Sequence, residues 1–173
     1  MIILIKKANQ LLAVLSMNIL PFERYDIESE MSINELFASI DQGCESWSFS
    51  YAYSGAVSKP LLGGRQGMNF KLYRAIRYHN SFLPIAFGRI TKIDGKSVVK
   101  ITLRMNILVM VFMAIWLSFT LIGAISITSS EHGAPVLIPV GMFFFGYLLM
   151  QGSFWFEAPK LKKLTYEIII KNS

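Results

Sequence analysis

Two long apolar runs dominate the pattern of hydrophobic and polar positions in this chain. Residues 106–127 and 134–156 each lack Lys, Arg, Asp, Glu and His, and only the short stretch 128–133 separates them. A helix of about 22 residues measures roughly 33 Å, which is enough to cross the hydrocarbon core of a bilayer. The pattern therefore predicts a membrane protein with a two-helix transmembrane hairpin.

Shorter patterns before these runs predict a small β-rich domain. Alternating or β-branched segments favour strands, which we predict over residues 24–30, 47–54, 69–78, 83–93 and 97–104. Asp94-Gly95 predicts a tight hairpin turn, and Gly88 inside a strand pattern predicts a bulge or a bend. We therefore expect an α+β membrane protein that combines a small antiparallel β-meander or partly closed barrel with the two-helix transmembrane hairpin.

Two further local signals fill in this domain. Ser32 followed by Glu35 forms a capping-box pattern, which predicts a helix over residues 33–44. The stretch 59–67 is rich in glycine and contains Pro60, so we predict that it is a mobile hairpin connection.

The segment after the second apolar run has two readings. Pro159 is typical of the first turn of a helix, and Leu161, Leu164 and Ile168 then share one helical face, which predicts an amphipathic helix lying on the membrane or against the sheet. The β-branched run that begins at Ile168 leaves a strand open as the alternative.

These patterns divide the chain into four parts. Lys6 and Lys7 follow the first apolar stretch instead of preceding it, so the N-terminus does not match a signal peptide, and Met17 is an alternative start. The four parts are an apolar or interfacial segment (1–20), a cytoplasmic β-rich domain with one short helix (21–104), the hairpin (105–156, with spans at 106–127 and 134–156) and a cytoplasmic amphipathic segment (157–173).

Charge adds an orientation to this picture. The chain carries 17 Lys and Arg residues against 11 Asp and Glu. Thirteen of the basic residues precede the first span, four follow the second, and none lies in the loop between them. The positive-inside rule therefore predicts a multi-pass protein of the plasma membrane with both termini in the cytoplasm. The expected anchors at the inner face are Trp155, Lys160, Lys162 and Lys163.

Acidic and basic residues also separate within the soluble part. Residues 20–46 contain seven acidic side chains and one basic, whereas 70–104 contain eight basic and one acidic. Three interpretations of the basic stretch are open: contact with anionic lipid headgroups, binding of an anionic small molecule such as a nucleotide, or pairing with the acidic segment. We expect no nucleic acid polymer as a partner. The candidate ligand-binding or headgroup-binding residues are Arg74, Arg77, Arg89, Lys92, Lys100 and Arg104.

Nothing in the sequence predicts catalysis, a metal site or a cofactor. His79 lacks a nearby carboxylate, since no Asp or Glu lies between Glu45 and Asp94, and the single Cys44 has no basic partner close in sequence. Two histidines and one cysteine do not make a zinc site. No nucleophile elbow, phosphate-binding loop or kinase signature is present. We therefore expect a protein that is not an enzyme.

The stretch Arg74-Ala-Ile-Arg-Tyr-His-Asn-Ser-Phe-Leu-Pro84, with Gly88-Arg-Ile and Ile101-Thr-Leu-Arg-Met-Asn106, carries a resemblance. It is similar to a group of uncharacterised small bacterial membrane proteins over residues 51–157. The resemblance implies a short β-rich region joined to a two-helix hairpin, with no established activity. The combination also loosely resembles bacterial antiphage effectors that join two spans to a barrel sensing a cyclic nucleotide, although the order of elements differs.

Two functional hypotheses follow. The first is a non-enzymatic binding or interaction module, anchored by the hairpin and oligomerising through the spans. The second is a ligand-gated effector, in which an anionic small molecule binds the basic domain and the hairpins reassemble to disrupt the membrane.

Overall fold

The chain folds as an α+β protein built on one mixed sheet. A computed structural model describes residues 20–46, 58–128 and 136–170. The segment 1–19 and the strand predicted over 47–54 lie outside the described residues. The elements are β1 (Phe22–Ser29), α1 (Ile33–Gly43), β2 (Cys44–Glu45), β3 (Leu61–Gln66), β4 (Asn69–Arg74), β5 (Ile85–Ile93), β6 (Lys96–Arg104), α2 (Ile107–Thr128) and α3 (Leu137–Ile170).

The six described strands form an open sheet in the order β1-β6-β5-β4-β3-β2. Strands β3 to β6 form the predicted antiparallel meander, and β1 adds to it alongside β6. The two-residue β2 pairs with β3 in parallel. Because β1 and β2 lie at opposite edges, the sheet is not closed. Of the two predicted architectures, the antiparallel meander is therefore confirmed for β3 to β6, and the partly closed barrel is wrong.

One face of the sheet, which we call the inner face, supports the hydrophobic core. The alternation predicted in the last strand is confirmed, because Val99, Ile101 and Leu103 are buried there while Lys100 points away. Helix α1 and the last half of α3 pack over this face. The opposite face, which we call the outer face, carries no described helix.

The predicted hairpin turn is confirmed, whereas the predicted bulge at Gly88 is not. Asp94 and Gly95 both have positive φ, at 49° and 85°, as a type I′ turn requires. Gly88 pairs without interruption with its neighbours on β4 and β6. A Cβ atom at Gly88 would lie 1.9 Å from the ring of Phe70, so the glycine makes room for a buried aromatic side chain.

The hairpin connection predicted over 59–67 is wrong, since Leu61–Gln66 is strand β3. Leu61 and Leu62 are buried and the strand pairs along its length with β4. Gly63, at φ 138°, allows this close pairing because a Cβ there would meet the carbonyl oxygen of Lys71 at 1.9 Å. Gly63 therefore reflects close strand packing, which short-range sequence patterns do not distinguish from a loop.

Helix α1 begins with the predicted capping box. Ser32 Oγ accepts a hydrogen bond from the Glu35 amide, and the Glu35 carboxylate accepts one from the Ser32 amide at 2.6 Å. Two hydroxyls then fix the far end of α3: Ser39 of α1 donates to the Ile168 carbonyl oxygen at 2.5 Å, and Ser29 of β1 donates to that of Ile169 at 3.2 Å. These bonds satisfy carbonyl groups that the end of a helix leaves unpaired.

Helix α3 runs without interruption through Pro159 to Ile170. Pro159 therefore lies inside a helix instead of beginning one, and the strand alternative near Ile168 is wrong. The predicted amphipathic helix is confirmed, because Ala158, Leu161, Thr165 and Ile169 are buried on one side. Proline removes one helical hydrogen bond, and the packing of this buried side against the sheet and α1 compensates for that loss.

Helices α2 and α3 each contain a stretch long and apolar enough to cross a membrane, Ile107–Ile127 and the first part of Leu137–Ile170. They pack side by side, with Trp116 of α2 against Gly146 of α3. Most of their large side chains still face outward: Leu108 is 75% exposed and Phe119 is 77% exposed. Such exposure is typical of a lipid-facing surface and unlike that of a core helix.

Replacement of Gly88 by alanine tests the packing of the inner face. We expect Gly88→Ala to lower the free energy of unfolding by about 1–3 kcal/mol, because the added methyl group collides with the Phe70 ring. The matched control is Gly64→Ala, where nothing lies within 4 Å of the added atom. We expect that change to stay within about 0.5 kcal/mol.

Chemical unfolding of the detergent-solubilised protein, followed by circular dichroism, measures both values. Adding Phe70→Leu should restore part of the stability lost in Gly88→Ala. Equal losses from the two glycine substitutions would contradict this account of the core.

Candidate functional site

Three of the six cations predicted as a binding site share the outer face of the sheet. Arg89 of β5 lies directly opposite Lys100 of β6. Arg104 follows four residues later on β6 and therefore points to the same side. These three side chains therefore form one surface.

The other three predicted cations lie elsewhere and do not join that surface. Arg74, at the end of β4, is on the inner face and contacts α3. Arg77 is exposed in the loop after β4, and Lys92 is exposed beside the start of α1. The six residues therefore do not converge on one ligand.

Strand register adds two cations that the sequence analysis missed. Arg24 of β1 lies opposite Thr102 on β6, and Lys71 of β4 lies opposite Phe87 on β5, so both belong to the outer face. We use the term basic face for the five outer-face cations that form no ion pair with a described carboxylate, which excludes Lys96 at the start of β6. Its members are Arg24, Lys71, Arg89, Lys100 and Arg104.

Within the described part of the chain, no member of the basic face forms an ion pair with a carboxylate. Arg89 and Lys100 lie directly opposite each other, an arrangement of like charges that weakens strand pairing by up to about 1 kcal/mol. Asp26, on the other side of Lys100, offsets part of this repulsion. The face therefore keeps a net positive charge at some cost in stability.

Aromatic rings position several of these cations. The Arg104 guanidinium lies 4.2 Å from the ring centroid of Phe87, and the Lys71 ammonium lies 5.7 Å from the same centroid. Arg24 lies 4.9 Å from the ring centroid of Phe22. Cation–π contacts fix the positions of the charges but leave them available to an anion, because the rings carry no net charge.

An open pocket of about 660 Å³ adjoins the basic face at the edge where the sheet meets the helices. Lys71 connects the two, since it belongs to the face and also lines the pocket. Asn106, directly before α2, forms part of the wall. Its lining also includes Tyr73, Asn80, Ser81, Leu83 and Ile85.

A second polar cluster, which we call the junction cluster, joins the sheet to α3. Its members are Arg74, Tyr78, Glu157 and Lys160. Glu157 is fully buried and accepts hydrogen bonds from Arg74 Nε at 2.5 Å, Tyr78 OH at 2.5 Å and Lys160 Nζ at 2.9 Å. It directly follows the apolar part of α3, which ends at Phe156.

The surroundings of Glu157 favour its charged form. Burial opposes ionisation, but the hydrogen bonds from Arg74, Tyr78 and Lys160 outweigh it and hold the pKa of Glu157 below its usual range. The hydrogen bond that Tyr78 donates to Glu157 raises the pKa of the tyrosine. The cluster thus contains two ion pairs, both to Glu157, and it connects the sheet to α3. Because Arg74 already binds Glu157, its charge is neutralised within the protein.

Two of the three lysines predicted as membrane anchors form ion pairs within the protein. Lys160 pairs with Glu157, and Lys162 pairs with Glu23 of β1. Lys163 is exposed. Trp155 donates a hydrogen bond to Gln151 at 3.1 Å. Lys162 therefore helps to attach α3 to the sheet, and Lys160 supports the buried Glu157 within α3; the sequence indicated neither role.

The titratable residues considered for catalysis do not assemble into a reactive group. His79 is exposed beside Tyr78, and Cys44 is buried, which raises the pKa of its thiol. Among the described residues, no three His, Cys, Asp or Glu side chains lie close enough to hold a metal ion.

Comparisons with known proteins provide no relative for this chain. No family model matches it, and neither the curated proteins nor the solved structures contain a significant match.

The junction cluster leads to a stability prediction. Glu157→Gln should lower the free energy of unfolding by about 1–3 kcal/mol, because it removes the charge that Arg74 and Lys160 pair with. Glu30→Gln is the matched control, since Glu30 pairs with Lys96 in an exposed position. That change should cost less than about 0.5 kcal/mol. Denaturant unfolding in detergent measures both, and equal losses would contradict a special role for Glu157.

The same cluster leads to a pH prediction. Because folding lowers the pKa of Glu157 from its ordinary value of 4.5, its contribution to stability is complete above that pH. The contribution is lost as the pH falls through the lower, folded value. The stability difference between wild type and Glu157→Gln should therefore be constant near neutral pH and shrink in acid. Unfolding curves recorded from pH 7 to pH 3 measure it, and a difference that grows in acid would show that the sign is wrong.

Proposed function

We propose that the protein is a non-enzymatic, membrane-anchored binding module. Its two apolar helices lie in the bacterial inner membrane as a hairpin with both termini in the cytoplasm. The β domain presents the basic face to an anionic partner. The observation that carries the proposal is a set of five cations on one sheet face with no carboxylate partner in the described residues.

The exposed surface of the helices supports the membrane part of the proposal. Large apolar side chains such as Phe112, Phe119 and Leu148 point away from the rest of the molecule. In water, so much contiguous apolar surface would drive aggregation, whereas lipid covers it at no cost. The uneven distribution of Lys and Arg supports the orientation.

The distribution of ion pairs supports the binding part of the proposal. Several charged groups on the inner face and on the helices form ion pairs, as Asp41 does with Arg65 and Glu23 with Lys162. Among the described residues, the five cations of the basic face have no such partner. A surface that retains opposed like charges, as at Arg89 and Lys100, is suited to an external anion.

A ligand-gated effector is the second candidate, and the continuity of α3 favours it. One helix extends from the apolar run into the core of the β domain, so a displaced sheet would move the membrane segment with it. Release of a trapped dye from vesicles when a ligand binds would distinguish this effector from a simple anchored module.

Membrane insertion and orientation have a direct test. Because Cys44 is buried, reporter thiols are introduced into a Cys44→Ala background. Gln66→Cys, at the exposed tip of β3, should react with a membrane-impermeant maleimide only after the cells are permeabilised. Glu131→Cys, in the loop predicted to face outward, should react in intact cells. The protein should also stay in the membrane during alkaline carbonate extraction.

Either of two results would contradict the proposal. Reversed labelling of the two cysteines would overturn the orientation. Release of the protein by carbonate, or a monodisperse preparation in buffer without detergent, would overturn membrane insertion.

A further inference from the structure

We propose that the pocket beside the basic face binds the phosphate headgroup of an anionic membrane lipid. The occupant is a phospholipid of the same leaflet, with its phosphate between Lys71 and Arg104 and its acyl chains in the bilayer. This inference rests on the proposed function, because it requires α2 and α3 to lie in the membrane.

The position of the pocket is the first argument. Asn106 in its wall directly precedes α2, and so marks the start of one apolar run. Asn80 in the same wall belongs to a loop that lines a neighbouring pocket together with Gly152 and Phe156, near the end of the other apolar run. The headgroup layer extends roughly 5–8 Å beyond the hydrocarbon core. Insertion of α2 from Ile107 onward would place the pocket at this level.

The charge of the pocket is the second argument. Lys71 lines it, and Arg104 adjoins it, because both cations contact the ring of Phe87 and Arg104 lies opposite the lining residue Ile85. None of the described residues that line this pocket is acidic. Two neighbouring cations without a carboxylate match the charge and the oxygen-rich surface of a phosphate group.

Neutral hydrogen-bond donors in the pocket also suit a phosphate group. Burial raises the pKa of Tyr73 to about 12, so its phenol stays protonated and is able to donate. Asn80 and Asn106 accept backbone hydrogen bonds, from Phe82 and Leu108, through their side-chain carbonyl oxygens. Their amide N–H groups are thus left as donors, the groups that phosphate oxygens accept from.

The apolar part of the pocket favours a lipid over a free phosphorylated molecule. Leu83 and Ile85 line the same pocket as these donors, and each is partly exposed. A soluble phosphate compound would leave this apolar surface in water. A phospholipid covers it with its glycerol and upper acyl atoms, so the pocket suits an amphiphile.

Retention of lipid by the purified full-length protein tests the proposal. The protein is reconstituted into phosphatidylcholine nanodiscs containing a minority of phosphatidylglycerol, and the lipid that stays bound after detergent release is counted by native mass spectrometry. The wild type should retain phosphatidylglycerol in preference to phosphatidylcholine. The variant Lys71→Gln/Arg104→Gln should retain it at least about tenfold less.

Two control variants separate the site from net charge and from folding. Lys92→Gln/Lys96→Gln removes two exposed cations at the ends of β5 and β6 that lie farthest from the pocket, and it should retain phosphatidylglycerol like the wild type. Lys71→Arg/Arg104→Lys keeps both charges and should preserve most of the preference. If the distant pair reduces retention as much as the pocket pair, the effect is general electrostatics and the proposal is wrong.

Soluble probes distinguish the lipid from a free ligand. Inorganic phosphate and glycerol 3-phosphate are titrated onto the protein in discs of phosphatidylcholine alone. The proposal predicts that neither binds with an affinity that depends on Lys71 and Arg104. Charge-dependent binding of either probe without any preference for phosphatidylglycerol would overturn the lipid and leave the anchored binding module intact. Failure of the protein to enter the discs would overturn the proposed function itself.

Discussion

The packing of the last half of α3 against the inner face of the sheet is the contact on which the rest of the molecule depends. The 34 residues of α3 extend for about 51 Å, and only the first part of this length is continuously apolar. Ala158, Leu161 and Ile169 then belong to the same core as the strands and α1. One helix is therefore both a candidate membrane segment and a structural element of the β domain, so the domain cannot tilt independently of it.

Charge is arranged around this contact. Glu157 lies at the point where α3 passes from its apolar part into the core, and Arg74 and Lys160 compensate for its burial. Lys162 forms a second ion pair across the same interface with Glu23. The contact between α3 and the inner face thus holds its charges in pairs, whereas the basic face retains cations that have no carboxylate partner among the described residues. This asymmetry separates a structural side of the sheet from a side suited to an anionic partner.

The sequence predicted the elements whose signals are local and missed those that depend on distant contacts. The Asp94 turn requires only a few neighbouring residues, and it was correct. Gly88 and Pro159 were misread because a ring and a buried interface, both remote in sequence, decide their surroundings. The basic face was found only in part: Arg24 and Lys71 join it through strand pairing, and alternation alone does not reveal which strands are neighbours.

Site-directed spin labelling along α3 is the most direct test of the central claim that one rigid helix joins the apolar segment to the sheet. Labels placed singly at exposed positions from 138 to 166, in protein reconstituted into lipid vesicles, report contact with oxygen in lipid or with a nickel chelate in water. The account predicts a continuous helical period, with lipid contact up to residue 156 and water contact beyond it. A break in the period near residue 159, or water contact throughout residues 138–156, would contradict it.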